Sequence, residues 1–118
     1  MNYPEFRKAL AEGKPQLGFC IMYPATGIVE KCGSDYDWLW LDGQHGQLDY
    51  STMLSLVRAA DFIKRPSFVR VAWNEFGAIA LAADMFPQGV IVPCVSTVEE
   101  AQAAVQAAKL PPLGKRSY

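Results

Sequence analysis

Short apolar runs alternate with longer amphipathic stretches four times along this chain, after one opening helix. That helix is predicted from about Tyr3 to Glu12, stopped by Gly13. Gln16 to Met22 (QLGFCIM) reads as a first strand, and Ala25 to Cys32 as a helix that stops at Gly33. The second strand is Asp37 to Asp42 (DWLWLD), followed by a glycine-rich loop and a helix from about Tyr50 to Ile63. In that helix Met53, Leu54, Leu56, Val57 and Ala60 form one apolar stripe. Ser67 to Trp73 is the third strand, with Asn74 as the expected cap of a helix over Glu75 to Met85. Gly89 to Val95 (GVIVPCV) is nearly all apolar, the pattern of a parallel strand covered on both faces. Thr97 and Glu100 have capping-box spacing ahead of an alanine-rich helix ending near Lys109, where Pro111 and Pro112 forbid continuation. Leu110 to Tyr118 is left as an irregular tail.

Repeated strand-helix units require parallel strands joined by helical crossovers, in a sheet that is either open and doubly wound or curled into a barrel. Four such units amount to the first half of an eight-stranded (β/α)8 TIM barrel, whose usual size is about 250 residues. The expected class is therefore α/β, with residues 1–118 as one partial barrel domain.

Composition narrows the functional classes. Apolar residues make up 51% of the chain and charged ones 19%, which requires a packed core and argues against a disordered tail. Eleven Lys and Arg against twelve Asp and Glu leave a net charge of -1, with no basic stripe to attract nucleic acid. No apolar run approaches the roughly 20 residues of a membrane span, and Met1 to Lys8 has no signal core, so a cytoplasmic location is the default expectation. Cys20, Cys32 and Cys94 are odd in number and lack CxxC spacing, so they read as reduced thiols.

Function in parallel barrels and sheets gathers at the carboxyl ends of strands, and four polar residues are weighed there. Asp42 ends the second strand on the same face as Trp38 and Trp40. His45, the one histidine, sits between Gly43 and Gly46, which give the backbone freedom to bring the ring close to a ligand; it is either an acid/base group or a plain loop histidine. Arg70 lies in an otherwise apolar strand (FVRVA), where desolvation demands an anionic partner, either a substrate oxyanion or a carboxylate such as Asp42 or Asp84. Asp84, near a helix end, reads by itself as a solvated carboxylate. Trp38, Trp40 and Trp73 read as core, Cys94 as packing, and Lys115 and Arg116 as part of a solvated loop or an anion contact. Neither GxxxxGK[ST] nor GxGxxG is present, so nucleotide binding has no motif behind it.

Four segments, Asp37 to Asp49 (DWLWLDGQHGQLD), Val69 to Asn74 (VRVAWN), Asp84 to Val95 (DMFPQGVIVPCV) and Pro111 to Tyr118 (PPLGKRSY), together resemble the HpcH/HpaI aldolases, the class II pyruvate aldolases. The resemblance implies reversible cleavage of a 4-hydroxy-2-oxo acid to pyruvate and an aldehyde. It implies His45 as catalytic base, Arg70 as the group that stabilises the transition state, Asp84 as the carboxylate that raises the basicity of the histidine, and Asp42 in the same network. It further implies a divalent cation (Mg, Mn or Co) acting as Lewis acid, small-molecule substrates and a homo-oligomer. Two departures stand out. Gln44 occupies a position where the family often has glutamate, and the family's metal-binding glutamate and aspartate are expected beyond Tyr118, so that the chain reads as truncated before the metal-binding half and inactive alone. A non-catalytic module that assembles through open sheet edges, and a lyase acting on acyl-CoA or citryl-type thioesters, are the competing expectations.

Overall fold

The computed structural model describes residues 2–117; Met1 and Tyr118, the ends of the predicted N-terminal segment and tail, lie outside them. Helix α1 (Tyr3–Ala11) is followed by β1 (Gly18–Ile21), α2 (Thr26–Cys32), a 3-10 turn (Gly33–Asp35), β2 (Trp38–Asp42), α3 (Tyr50–Phe62), β3 (Ser67–Arg70), α4 (Phe76–Ala83), β4 (Gly89–Ile91) and α5 (Val98–Ala108). The four strands are all parallel and lie in the order β1-β2-β3-β4.

That order separates the two topologies left open by the pattern. A doubly wound sheet reverses its strand order and carries helices on both faces. Here the order never reverses. Ile21, Leu39, Leu41 and Val69 all point to one face, where they are buried with Val29 of α2, Met53, Leu56, Val57 and Ala60 of α3, Ile79 and Ala82 of α4, and Ala107 of α5. Burying each Leu in this layer contributes about 1.5–3 kcal/mol. Four sequential βα units with their helices on one side are half of a (β/α)8 barrel.

The opposite face, which would line the barrel interior, carries Gly18 and Cys20 of β1, Trp38, Trp40 and Asp42 of β2, Phe68 and Arg70 of β3, and Gly89 and Ile91 of β4, neighbours in register. The tryptophans expected in the core are therefore elsewhere: Trp38 and Trp40 are half-buried on the interior face, and Trp73 is 67% exposed in the loop after β3. Alternation in DWLWLD sends the leucines to one face and the tryptophans to the other, but only the helices decide which face becomes the core. Helix α1 closes the amino-terminal end of the interior face, with Phe6 against Trp38 and Phe68 at centroid distances of 6.4 and 5.7 Å. Gly18 makes room for this cluster, since a Cβ there would lie 2.4 Å from the Trp38 ring.

Strand ends are shorter than predicted where local chemistry intervenes. The first strand was expected from Gln16, whose side-chain amide instead donates to the Pro15 carbonyl at 2.8 Å. Strand β4 stops at Ile91 rather than Val95, because Pro93 has no N–H to donate and Cys94 adopts φ 58°. Strand β3 ends at Arg70 rather than Trp73, and the cap of α4 is Glu75, not Asn74. The Glu75 carboxylate accepts from Gly77 and Ala78 N–H at 3.1 Å, while the Asn74 amide donates to the Glu100 carbonyl at 3.2 Å and ties this loop to α5. The capping box of Thr97 and Glu100 is present as expected. Thr97→Ala is expected to cost about 1 kcal/mol of stability, read as a lowered urea midpoint at unchanged m. Among the described residues, no helix is long and apolar enough to cross a membrane.

Candidate active site

In-register parallel pairing sets Asp42 beside Arg70 at the carboxyl ends of β2 and β3, with both side chains on the interior face. They meet side-on: Arg70 Nε donates to Asp42 Oδ1 at 2.9 Å, and Nη2 pairs with Oδ2. Such fork-to-fork geometry is the strongest an arginine and a carboxylate can adopt. The carboxylate side chain is 3% exposed and the guanidinium 18%. Arg70 thus has the anionic partner that an apolar strand demanded, and that partner is Asp42. Arg70 Nη1 makes no hydrogen bond among the described residues.

Asp42 also builds the loop that carries His45. Its Oδ1 accepts the backbone N–H groups of Gln44 at 2.9 Å and His45 at 3.1 Å, an aspartate turn in which the side chain takes the place of a backbone acceptor. Gly46 N–H then donates to the Asp42 carbonyl at 3.1 Å, and Gln47 N–H to the Met22 carbonyl at 2.7 Å, folding the loop back over the end of β1. Burial disfavours the ionised Asp42, but the Arg70 hydrogen bonds, the His45 and Gln44 N–H groups and the Arg70 charge outweigh it and hold its pKa below the ordinary carboxylate value. The same pairing raises the pKa of Arg70. Both groups are charged at neutral pH.

The His45 ring is exposed at the mouth of this end, and its imidazole makes no hydrogen bond among the described residues. Its place is fixed through the backbone. Gly46 is required by close approach: a Cβ there would lie 2.2 Å from the Asp42 carbonyl oxygen and 2.9 Å from that of Met22, both of them backbone atoms. Gly46→Ala is expected to destabilise the protein by about 1–3 kcal/mol through overpacking and to move the histidine, measured by urea unfolding together with activity.

Asp84 is not brought to this group within one chain. It caps the carboxyl end of α4, just before β4 begins, and so lies at the amino-terminal edge of the sheet, the end opposite His45. There it pairs with Arg116 Nη1, while Arg116 Nε donates to the Ala108 carbonyl at 3.1 Å. The expected solvated tail cation is thus a tie between α4, α5 and the C-terminal segment. The sequence reading missed that Asp42 acts on the loop backbone; the signal was its position three residues before His45, the spacing of an aspartate turn.

Among the described residues, no group of three or more His, Cys, Asp or Glu side chains could hold a metal ion. Both oxygens of the buried Asp42 carboxylate are already engaged by Arg70 and the loop N–H groups. The residues present do not by themselves fit a metal centre.

The family model for HpcH/HpaI aldolase/citrate lyase matches residues 24–118. The chain is 38% identical over 113 residues to a 4-hydroxy-2-oxovalerate aldolase of Novosphingobium aromaticivorans, covering 94% of this chain and 43% of that protein. It is 36% identical over 115 residues to a 4-hydroxy-2-oxo-heptane-1,7-dioate aldolase of Klebsiella pneumoniae, covering 94% and 42%. Among solved structures, citrate synthase SbnG superposes with a TM-score of 0.85 at 28% identity, over 95% of this chain and 46% of that one. The chain thus spans less than half the length of the relatives it matches. With the family model covering all the elements from α2 onward, and the superposition carrying the same half-barrel, the chain belongs to the HpcH/HpaI aldolase/citrate lyase family.

Proposed function

We propose that this chain supplies the acid/base and oxyanion-stabilising half of an aldolase site that cleaves a 4-hydroxy-2-oxo acid reversibly to pyruvate and an aldehyde. One observation carries the reading: Arg70 is clamped by Asp42 at the mouth of the half-barrel with Nη1 unengaged among the described residues, and the same carboxylate holds the His45 loop. A purely structural ion pair has no need to organise a histidine loop as well. Two relatives named as aldolases of 4-hydroxy-2-oxo acids support the substrate class.

In the proposed cleavage His45 takes the proton of the C4 hydroxyl, directly or through water. The C4 oxygen becomes the aldehyde carbonyl as the C3–C4 bond breaks, and the bonding pair moves through C3 to the C2 oxygen as pyruvate enolate. Arg70 Nη1 faces that developing oxyanion, where a preformed donor in a dry site is most effective. The proton on His45 then returns to C3 of the enolate, giving pyruvate. A divalent cation, where bound, would supply Lewis acidity to the keto oxygen. Asp84 has no part in this step within one chain.

The test supplies the full-length gene product with a 4-hydroxy-2-oxo acid and a divalent metal and follows pyruvate release. Pyruvate together with an aldehyde is the expected result. The citrate synthase likeness gives a second reading its footing, a lyase of citryl-type or acyl-CoA thioesters. Cleavage of a thioester with free hydroxy-oxo acids untouched would replace the first reading by the second, and turnover of neither would remove both.

A further inference from the structure

The Arg70 guanidinium has a second support besides Asp42. Its carbon lies 4.9 Å from the centroid of the Trp40 ring, one pleat below on the interior face. Trp40 is itself stacked on Trp38, at 6.1 Å and 29° between planes, and Trp38 stands edge-on to Phe68 at 5.6 Å. Phe6 of α1 closes the column from beneath. A stack therefore runs from the amino-terminal helix up the interior face to the catalytic end, and Arg70 is its last layer. The Trp40 indole N–H is buried without a partner among the described residues, so no hydrogen bond there accounts for a tryptophan at this position. What its ring does have is a cation on its face.

We propose that Trp40 is a positioning residue for Arg70: its ring fixes the plane of a guanidinium that Asp42 grips along one edge, so that Nη1 is aimed into the substrate space. The carboxylate alone constrains the guanidinium within the plane of their pairing but leaves that plane free to tilt about the shared edge. An aromatic face against the guanidinium removes the tilt. This deepens the aldolase reading and rests on it for its kinetic consequence, whereas the orientation of Arg70 can be measured independently.

The experiment compares Trp40→Phe, Trp40→Leu and Arg70→Lys with wild type in the full-length gene product. Arginine Nε–H groups are followed by nitrogen-proton spectra, and turnover by pyruvate release. Arg70→Lys assigns the Arg70 signal by its loss. In wild type that signal is expected to be shifted upfield by the indole ring; Trp40→Phe keeps part of the shift and Trp40→Leu none. With Trp40→Leu, kcat is expected to fall about tenfold with KM little changed, and Trp40→Phe to recover most of the loss, the pattern of an orienting contact of cation–π strength. A Trp40→Leu protein with the Arg70 signal in its wild-type place, or with wild-type kcat, overturns the proposal. If Trp40→Leu does not fold, an Arg70 signal unmoved in Trp40→Phe overturns it equally. Wild type without aldolase activity would defeat the functional reading, and an Arg70 signal unmoved in Trp40→Leu would still overturn the contact on which the role of Trp40 rests.

Discussion

Asp42→Ala is expected to lower the unfolding free energy by about 3–5 kcal/mol, the cost of breaking a buried pair by removing one partner. The loss has two sources. Arg70 would keep its charge among apolar neighbours with nothing opposite, and the N–H groups of Gln44 and His45 would lose their shared acceptor. Removing both partners separates these effects. Asp42→Ala combined with Arg70→Met should lose less than Asp42→Ala alone, because no unpaired charge is left behind. The pH dependence follows from the lowered pKa of Asp42. A depressed carboxyl pKa contributes stability that is fully present above the unfolded value, here 3.8, and is lost as pH falls through the folded one. Wild type should therefore lose this contribution only below about pH 4, and Asp42→Ala should lack that part of the acid transition. Urea unfolding at neutral pH and at a series of lower pH values measures both. A variant within about 1 kcal/mol of wild type would mean that the pair does not anchor this end of the sheet.

How far the sequence disclosed this arrangement depended on the kind of interaction. Among the described residues periodicity located the five α-helices and four strands, though not the 3-10 turn at Gly33–Asp35, because burial on one side of a sheet imposes alternation and burial of one helix face imposes a stripe. It overran the ends of β3 and β4; at β4 a proline and a left-handed Cys94 end the extended run through local geometry. The need of Arg70 for an anion was legible because a guanidinium in FVRVA has no other explanation; which anion was not, since strand register decides it. In register, Asp42 falls opposite Arg70, whereas Asp84 falls at the far edge. The aromatic column was hidden for the same reason. DWLWLD announces two faces, but which one becomes the helix-packed core and which the interior of the barrel is a property of the fold as a whole.

His45→Ala tests the other arm of the site and should separate cleanly from Asp42→Ala. The imidazole is exposed and bonded to nothing among the described residues, so its removal is expected to leave stability within about 0.5 kcal/mol of wild type. Activity should fall by about 10²–10⁴-fold, the usual contribution of a positioned general base. If the ring acts only as a base, added imidazole should restore part of the turnover in His45→Ala and none in Arg70→Ala. Arg70→Ala is expected to lose both stability and activity, because it leaves Asp42 buried without its cation while removing the donor proposed to stabilise the enolate oxygen. Activity is therefore to be scored per folded molecule, with the folded fraction taken from urea curves on the same preparations. Retained cleavage in both variants would remove His45 and Arg70 from the reaction. Loss in Arg70→Ala alone would keep the oxyanion arm and require the C4 proton to leave by another group. The two arms can be distinguished because one carboxylate ties them together: the Asp42 side chain accepts from the Arg70 guanidinium and from the His45 backbone N–H, so either side chain can be deleted while Asp42 continues to hold the other residue.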